Sequence, residues 1–372
     1  MIFQRKKGTI FGYKTRKFQA TDQLVQAYSR IPNFMDDEGY TGPIECGGID
    51  RITSVAIKKA FSESIERRAV TLGAKGVSER DSKYENWPKL HLGTNENGGY
   101  SPSFDLIRQQ PVLIPREVTS LRNKKPFIVD TTGTATHPIP QMAKLNAVKE
   151  LFEKNALFSF WYGSKGKRVN QFSFDISKKL EKMGYELNMY VVDIFAPLQV
   201  VILIGHNPNH YTDLKYIFGV GSSVNLEDAI KKATTEAYML RLYYNVLYFR
   251  GEHQSGLSSY DNEIVQQPMR KDVESHIEGF QNLPTYQGFM TSDTNENLDV
   301  IIEGLPKWLS QLYITVLPQS LNKEMIVVKA FSPNLINHIP KKEFVEIDIP
   351  FISNFLQISE TEFDALPDCP II

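Results

Sequence analysis

The 372-residue chain is 41% hydrophobic and 11% aromatic, which describes a globular protein able to bury a sizeable core and excludes a disordered or fibrous chain. Its 42 basic residues balance 43 acidic ones, so no overall charge draws it to nucleic acid or to an anionic membrane. Two cysteines, Cys46 and Cys369, cannot build a disulfide framework or a four-thiolate zinc site, and point to a reducing cytoplasmic setting.

The N-terminus, MIFQRKKGTIFGYKTRKF, is basic but lacks the apolar segment and cleavage site of a secretory signal. No run approaches the roughly 20 apolar residues of a membrane-spanning helix. Residues 1–45 show no periodicity and read as an arm or small peripheral element. Its cations, Arg5, Lys6, Lys7, Lys14, Arg16 and Lys17, are either solvated or available to phosphate or to an acidic leader peptide. Apolar positions Ala56, Ala60, Phe61, Ile65 and Leu72 then fall at helical spacing, with Thr53 or Ser54 expected as N-cap and Gly73 as stop. Residues 74–124 are rich in Gly, Asn, Ser and Pro and read as a loop-rich excursion with short strands such as PVLIP.

PFIVDTTGTATHPIP reads as a buried strand running into a turn. A second helix is expected from about Gln141 to Phe158, with Ala143, Ala147, Leu151 and Phe158 on its apolar side. YELNMYVVDIF and QVVILIGH are β-branched strand candidates. A third helix follows FGVGSSV, capped by Asn225. YITVL and MIVVKAF are further strands, and the chain closes on ALPDCPII. The expectation is α/β: one large mixed domain over residues 46–355, a peripheral arm over 1–45 and a Pro-bearing tail over 356–372. Apart from paired acidic helices, no fixed-period repeat is expected.

Those helices carry the chemistry. SESIERRA and KELFEKNA each place two glutamates three residues apart before a base: Glu63, Glu66 and Arg67, then Glu150, Glu153 and Lys154. Positions three apart share a helix face. Two such faces would form a cage of carboxylates suited to Mg2+, with the bases meeting phosphate oxygens. The commoner outcome for such spacing is a solvated face with the i,i+4 pairs Glu63–Arg67 and Glu150–Lys154. Known nucleotide loops are missing: there is no GxxxxGK[ST], and Gly219 and Gly221 do not extend to GxGxxG. GSKGKR at 163–168 reads as a surface turn, and Pro208 between His206 and His210 favours a loop over a metal pair. Neither a GxSxG elbow nor a Cys/His nucleophile is present.

Three ordered segments resemble the YcaO family, most closely the cyclodehydratase subunit of azole-forming synthetases of the microcin B17 type. AFSESIERRA is similar to A-L-x-E-x-x-E-R; TTGTATHPIPQMAKLNAVKELFEKNA follows the S-N-G-L-A-x-G segment and its A-x-x-E-L-I-E-R-D-A helix; FGVGSSVNLEDAIKKATTEAYMLR looks like G-x-G followed by R-A-L-T-E-x-x-Q-x-R. The match spans roughly residues 46–245. It implies that Glu63, Glu66, Glu150 and Glu153 hold Mg2+, and that Lys59, Arg67, Lys154, Glu236 and Arg241 surround ATP. The chain departs from the pattern at several places. Thr132 replaces Asn, Pro138 a polar residue, Met142 a further metal-binding Glu, Lys154 and Asn155 an Arg-Asp pair, Lys59 a Ser and Met239 a Gln.

The resemblance implies ATP-dependent closure of a Cys, Ser or Thr side chain onto the preceding backbone carbonyl of a ribosomal precursor peptide, giving a thiazoline or oxazoline. The Ile372 carboxylate, at the end of a proline-bearing tail, is the expected proton acceptor; a frayed terminus is the alternative. Expected partners are the precursor peptide, a separate leader-binding docking protein and an FMN-dependent dehydrogenase, with a homodimer inside a hetero-oligomer, and neither nucleic acid nor membrane. Relatives that make thioamides or amidines by the same activation, and a scaffold subunit without turnover, are the competing readings.

Overall fold

A computed structural model describes residues 12–17, 25–30, 45–50, 52–78, 81–92, 99–121, 128–170, 174–209, 214–249, 270–288, 296–319, 322–345 and 348–371. In chain order the elements used below are strands β1 (Gly12–Lys17), β2 (Val25–Arg30) and β3 (Glu45–Asp50), helix α1 (Thr53–Leu72), strands β4 (Tyr100–Asp105), β5 (Gln110–Pro115) and β6 (Thr134–His137), and helix α2 (Pro140–Gly163). Then come β7 (Lys167–Val169), helix α3 (Asp175–Lys182), β8 (Glu186–Phe195), β9 (Leu198–His206), β10 (Tyr216–Ser223), helix α4 (Leu226–Phe249), β11 (Tyr313–Leu317) and β12 (Ile326–Phe331). The mixed α/β class is as expected. Among the described residues no helix is long and apolar enough to cross a membrane.

The chain forms two compact units, one of residues 1–151 and 310–333, the other of 152–309 and 334–372. The first holds a three-stranded sheet ordered β1-β2-β3 and a five-stranded sheet ordered β5-β4-β11-β12-β6, with every pairing antiparallel. The N-terminal sheet takes two of its strands, β1 and β2, from the stretch read as an arm or small peripheral element. Val25 and Ala27 are buried with Ala56 and Ala60 of α1. Deeper along α1, Ile65, Ala69 and Val70 pack on Leu317 and Val327 of the larger sheet. The α1 start is also corrected: Ile52 precedes the first helical residue and offers no side-chain cap, while Thr53 and Ser54 stand exposed inside the first turn. Gly73 stops the helix at φ 69° as expected, a conformation glycine adopts at no steric cost.

The second unit is built on the antiparallel sheet β10-β9-β8-β7. Helix α4 lies on β10 and burying Ala229, Ile230, Ala233 and Ala237 closes that layer. The Asn225 side chain accepts the Glu227 N–H at 2.9 Å, the expected cap. From Asn155 to Tyr162 α2 is buried on all sides, Phe158, Phe160 and Trp161 included, so no amphipathic stripe marks where it ends.

Candidate active site

In the first unit, α1 and the start of the FIVDTTGTATH segment bring acids and bases together. Glu63 is tied twice: its Oε2 accepts the Gly47 N–H at 2.6 Å, and its Oε1 pairs with the Arg67 guanidinium at 2.6 Å. The surface pair expected between Glu63 and Arg67 is therefore formed. Glu66 keeps part of its surface open, yet protein atoms crowd it. Burial first, then Glu150, then Glu63 hold its carboxyl well above the usual carboxylate range, with Arg67 and Lys329 pulling the other way. Two carboxylates drawn from α1 and α2 thus repel each other in a poorly hydrated place.

Lys329 had no part in the sequence reading. It lies in the middle of β12, fully buried, and its ammonium donates to the Asp130 carbonyl at 2.7 Å and to the Thr132 carbonyl. The Thr132 N–H in turn donates to Asp130 Oδ1 at 2.6 Å, and Gly133, at φ 75°, closes the turn where a Cβ would meet the Ala330 carbonyl at 2.9 Å. Burial lowers the Lys329 pKa, while Asp130, Glu150 and Glu66 hold it up. A lone lysine in a strand otherwise made of Ile, Val, Ala and Phe reads as a solvent-facing residue, so the sequence carried no signal for it.

In the second unit Glu236, on α4, accepts the Val220 N–H at 2.5 Å. Desolvation pushes its pKa to about 7, opposed by Lys154 and that N–H and reinforced by Glu153. Glu153, Lys154 and Glu236 are thus neighbours. Arg241, five positions on and about 140° around the helix, has its guanidinium 6.0 Å from the centre of the Tyr185 ring. Lys59, 54% exposed, bonds the Ile49 carbonyl at 3.0 Å and Asp50 at 2.9 Å. Ile372 lies outside the described residues, but the tail before it is packed. Trp161 Nε1 donates to the Pro367 carbonyl at 2.9 Å, Tyr162 donates to Asp368 at 2.8 Å, and Cys369 is buried with the Lys154 charge acting on it.

The two units repeat one device. AIKKAFSE at 56–63 and AIKKATTE at 229–236 share six of eight residues, 173 positions apart. A Cβ on Gly48 would lie 2.2 Å from the Ala56 carbonyl oxygen and 2.6 Å from Ala60 N; on Gly221 it would lie 2.5 Å from Ala229 O and 2.5 Å from Ala233 N. Each helix therefore sits with its backbone against a glycine of the strand before it. The lysines Lys59 and Lys232 reach back to the Ile49 and Ser222 carbonyls, and the glutamates Glu63 and Glu236 take the Gly47 and Val220 N–H groups. Gly219 and Gly221 serve this packing inside a strand, not a phosphate loop. His206 ends β9 with its ring stacked 4.9 Å from Tyr216, and His210 lies outside the described residues.

A family model described as YcaO cyclodehydratase, ATP- and Mg2+-binding, matches residues 80–335. The chain belongs to the YcaO family. YcaO enzymes by that description use ATP and Mg2+, and this chain is an ATP-dependent enzyme with those two requirements. Among solved structures, the E. coli microcin synthetase McbBCD complex aligns with a TM-score of 0.66 at 16% identity, covering 88% of each chain. YcaO from Methanopyrus kandleri, bound with AMPPCP and Mg2+, aligns with 0.64 at 13%, covering 89% of this chain and 87% of that one. A heterocyclase in complex with substrate and cofactor aligns with 0.67 at 14%, over 94% of this chain and 53% of its own length. At these identities the likeness is one of fold. No curated protein matches the chain.

The chemistry of Glu66 and Glu150 would suit Mg2+: carboxylate oxygens are the kind a hard cation prefers, and Glu150 helps to raise the Glu66 pKa. Among the described residues no three His, Cys, Asp or Glu side chains form a closed metal cage. Magnesium needs none: it is commonly held by one or two carboxylates together with substrate phosphates.

Proposed function

We propose that the chain is a peptide cyclodehydratase acting in the cytoplasm on Cys, Ser or Thr residues of a ribosomal precursor peptide. The single observation that carries this is the setting of Glu66: burial, then Glu150 from a separate helix, raise its carboxyl pKa, with the fully buried Lys329 acting the other way. Such an arrangement is costly for folding and is kept where a divalent cation and polyphosphate are to be met.

The side-chain thiol or hydroxyl gives up its proton to a base and attacks the preceding amide carbon, and the oxyanion that forms takes the γ-phosphoryl group of ATP, releasing ADP. The ring nitrogen then loses its proton, and the former amide oxygen departs within inorganic phosphate. An amide oxygen is a very poor leaving group; phosphorylation converts it into a good one. Mg2+ supplies positive charge across the transferring phosphoryl group when bound. Glu63, Glu66, Glu150 and Glu153 are assigned as carboxylates that would share the metal ions together with the phosphates. Arg67 and Lys154 face phosphate, Arg as a fork and Lys as a point charge. Glu236, Lys59 and Arg241 are assigned to the nucleotide surroundings. The precursor peptide is presented by a separate docking protein, and a flavin-dependent dehydrogenase oxidises the product further.

Reconstitution with a docking partner and candidate peptide tests this. The expected result is loss of one water mass per ring, dependent on both ATP and Mg2+, with stoichiometric ADP. Absence of Mg2+-dependent ATP binding would favour the scaffold reading, and a sulfur-for-oxygen exchange without ring closure would favour thioamide formation.

A further inference from the structure

Lys329 is a stronger feature than a structural tether requires. It is the centre of a polar row crossing four strands of the larger sheet. Thr134 of β6 and Thr315 of β11 are its register partners on either side, and Ser103 of β4 is paired with Thr315. Residues opposite one another share a face. All four are buried, with Ser103 and Thr315 hydroxyls 2.6 Å apart and the Thr134 hydroxyl without a hydrogen-bond partner among the described residues. The next row on that face, Val327 and Leu317, is the floor on which Ile65, Ala69 and Val70 of α1 rest. The row therefore lies beneath the helix that carries Glu63 and Glu66.

A buried ammonium is expensive unless bonded and paired. Lys329 has two backbone carbonyls, of Asp130 and Thr132, as acceptors, and three carboxylates, of Asp130, Glu150 and Glu66, as counter-charges. The two carbonyls fix it, so it cannot swing away when another cation arrives. Hydrophobic isosteres would fill the same volume at lower cost if bracing the Asp130–Gly133 turn were its only task.

We infer that Lys329 is a built-in counter-cation for the Glu66 and Glu150 carboxylates, a positioning residue that holds them together before Mg2+ binds and sets how much Mg2+ the site requires. The inference rests on the reading of those glutamates as metal carboxylates. In the metal-free protein the ammonium offsets part of their repulsion. In the loaded protein it stays in place and opposes the incoming ion. A divalent ion arriving at those oxygens is repelled by the fixed ammonium, so removing that charge favours metal.

The experiment is thermal unfolding of the full chain, in EDTA and across a MgCl2 titration at fixed saturating ATP. Lys329→Met, which keeps the side-chain length, is expected to unfold at a lower temperature in EDTA and to need roughly ten-fold less Mg2+ for half of the stabilisation. Lys329→Arg is expected to keep the parent's Mg2+ requirement to within about two-fold, since one fixed charge replaces another. An unchanged Mg2+ midpoint in Lys329→Met, with the same loss of stability at every Mg2+ concentration, would mark a plain brace and overturn the inference. Should Lys329→Met fail to fold, Glu66→Gln reads the same balance from the acidic side. It is expected to unfold at a higher temperature than the parent in EDTA and to lose most of the Mg2+ response, and a lower EDTA midpoint overturns the inference. A parent protein with no Mg2+ response at all sinks the reading of the glutamates themselves, whereas a responsive parent with an indifferent Lys329→Met sinks only the role of Lys329.

Discussion

Glu236 shows what one carboxyl can report. Desolvation raises its pKa from 4.5 to about 7 in the folded protein. Between those values the folded chain holds a proton that the unfolded chain has released, so stability falls as pH rises through the window and the full penalty is present above it. Glu236→Gln keeps an oxygen to accept the Val220 N–H and removes the charge. In the absence of metal and nucleotide it is expected to be more stable than the parent by about 1–2 kcal/mol at pH 8 and equal to it near pH 4.5, with Lys154 losing a partner in the bargain. Urea unfolding at the two pH values checks this; equal stability at pH 8 would place the carboxyl in water. At this scale the sequence was legible where chemistry repeats along a helix, as for Glu63 and Arg67. It was silent on Lys329, whose neighbours come from Asp130 and from α1 and α2, far away in the chain.

Between elements, the deciding contacts are glycines under helices. Gly48→Ala would force a methyl to within 2.2 Å of the Ala56 carbonyl oxygen, while Gly47, one residue earlier, has no atom within 4 Å of where its Cβ would stand. Lifting α1 off β3 to make room is expected to cost about 2–4 kcal/mol, whereas Gly47→Ala should stay within about 0.5 kcal/mol. Denaturant midpoints of the two variants give the comparison directly, and equal effects would mean that α1 does not rest on the Gly48 backbone. Helices α1, α2 and α4 and strands β8, β9, β11 and β12 were readable because periodicity or β-branched runs survive in each. Strands β1 and β2 were not, because short strands carrying Lys, Arg, Gln and Tyr lack the alternation that marks one buried face. The repeat was legible as AIKKAFSE and AIKKATTE, but two copies far apart do not resemble the short periods by which solenoids are found.

For the molecule as a whole, the chain's end matters as much as its middle. Cys369 and Ile371 are 1% and 3% exposed, and Asp368 takes hydrogen bonds from Tyr162 and from the Lys342 N–H at 2.8 and 3.1 Å. Residues appended after Ile372 are therefore expected to leave the unfolding temperature and Mg2+-dependent ATP binding close to the parent's while abolishing ring formation, if the terminal carboxylate takes the proton; undiminished ring formation by mass spectrometry would remove the tail from the chemistry. The fold class followed from strand and helix patterns spread over the whole chain. The packing of the tail did not, since ALPDCPII has no period and its place is set by Trp161 and Tyr162 two hundred residues earlier.

The doubled octapeptide also gives experimenters a built-in comparison. A substitution at Lys59 or Glu63 can be mirrored at Lys232 or Glu236, in the same local geometry and the same polypeptide, so a change that hurts only one copy speaks of chemistry and a change that hurts both speaks of architecture. The copies differ at Glu66 against Met239 and Arg67 against Leu240, an acid and a base in one half and two apolar residues in the other, which marks the positions where a transplant between halves would be most instructive.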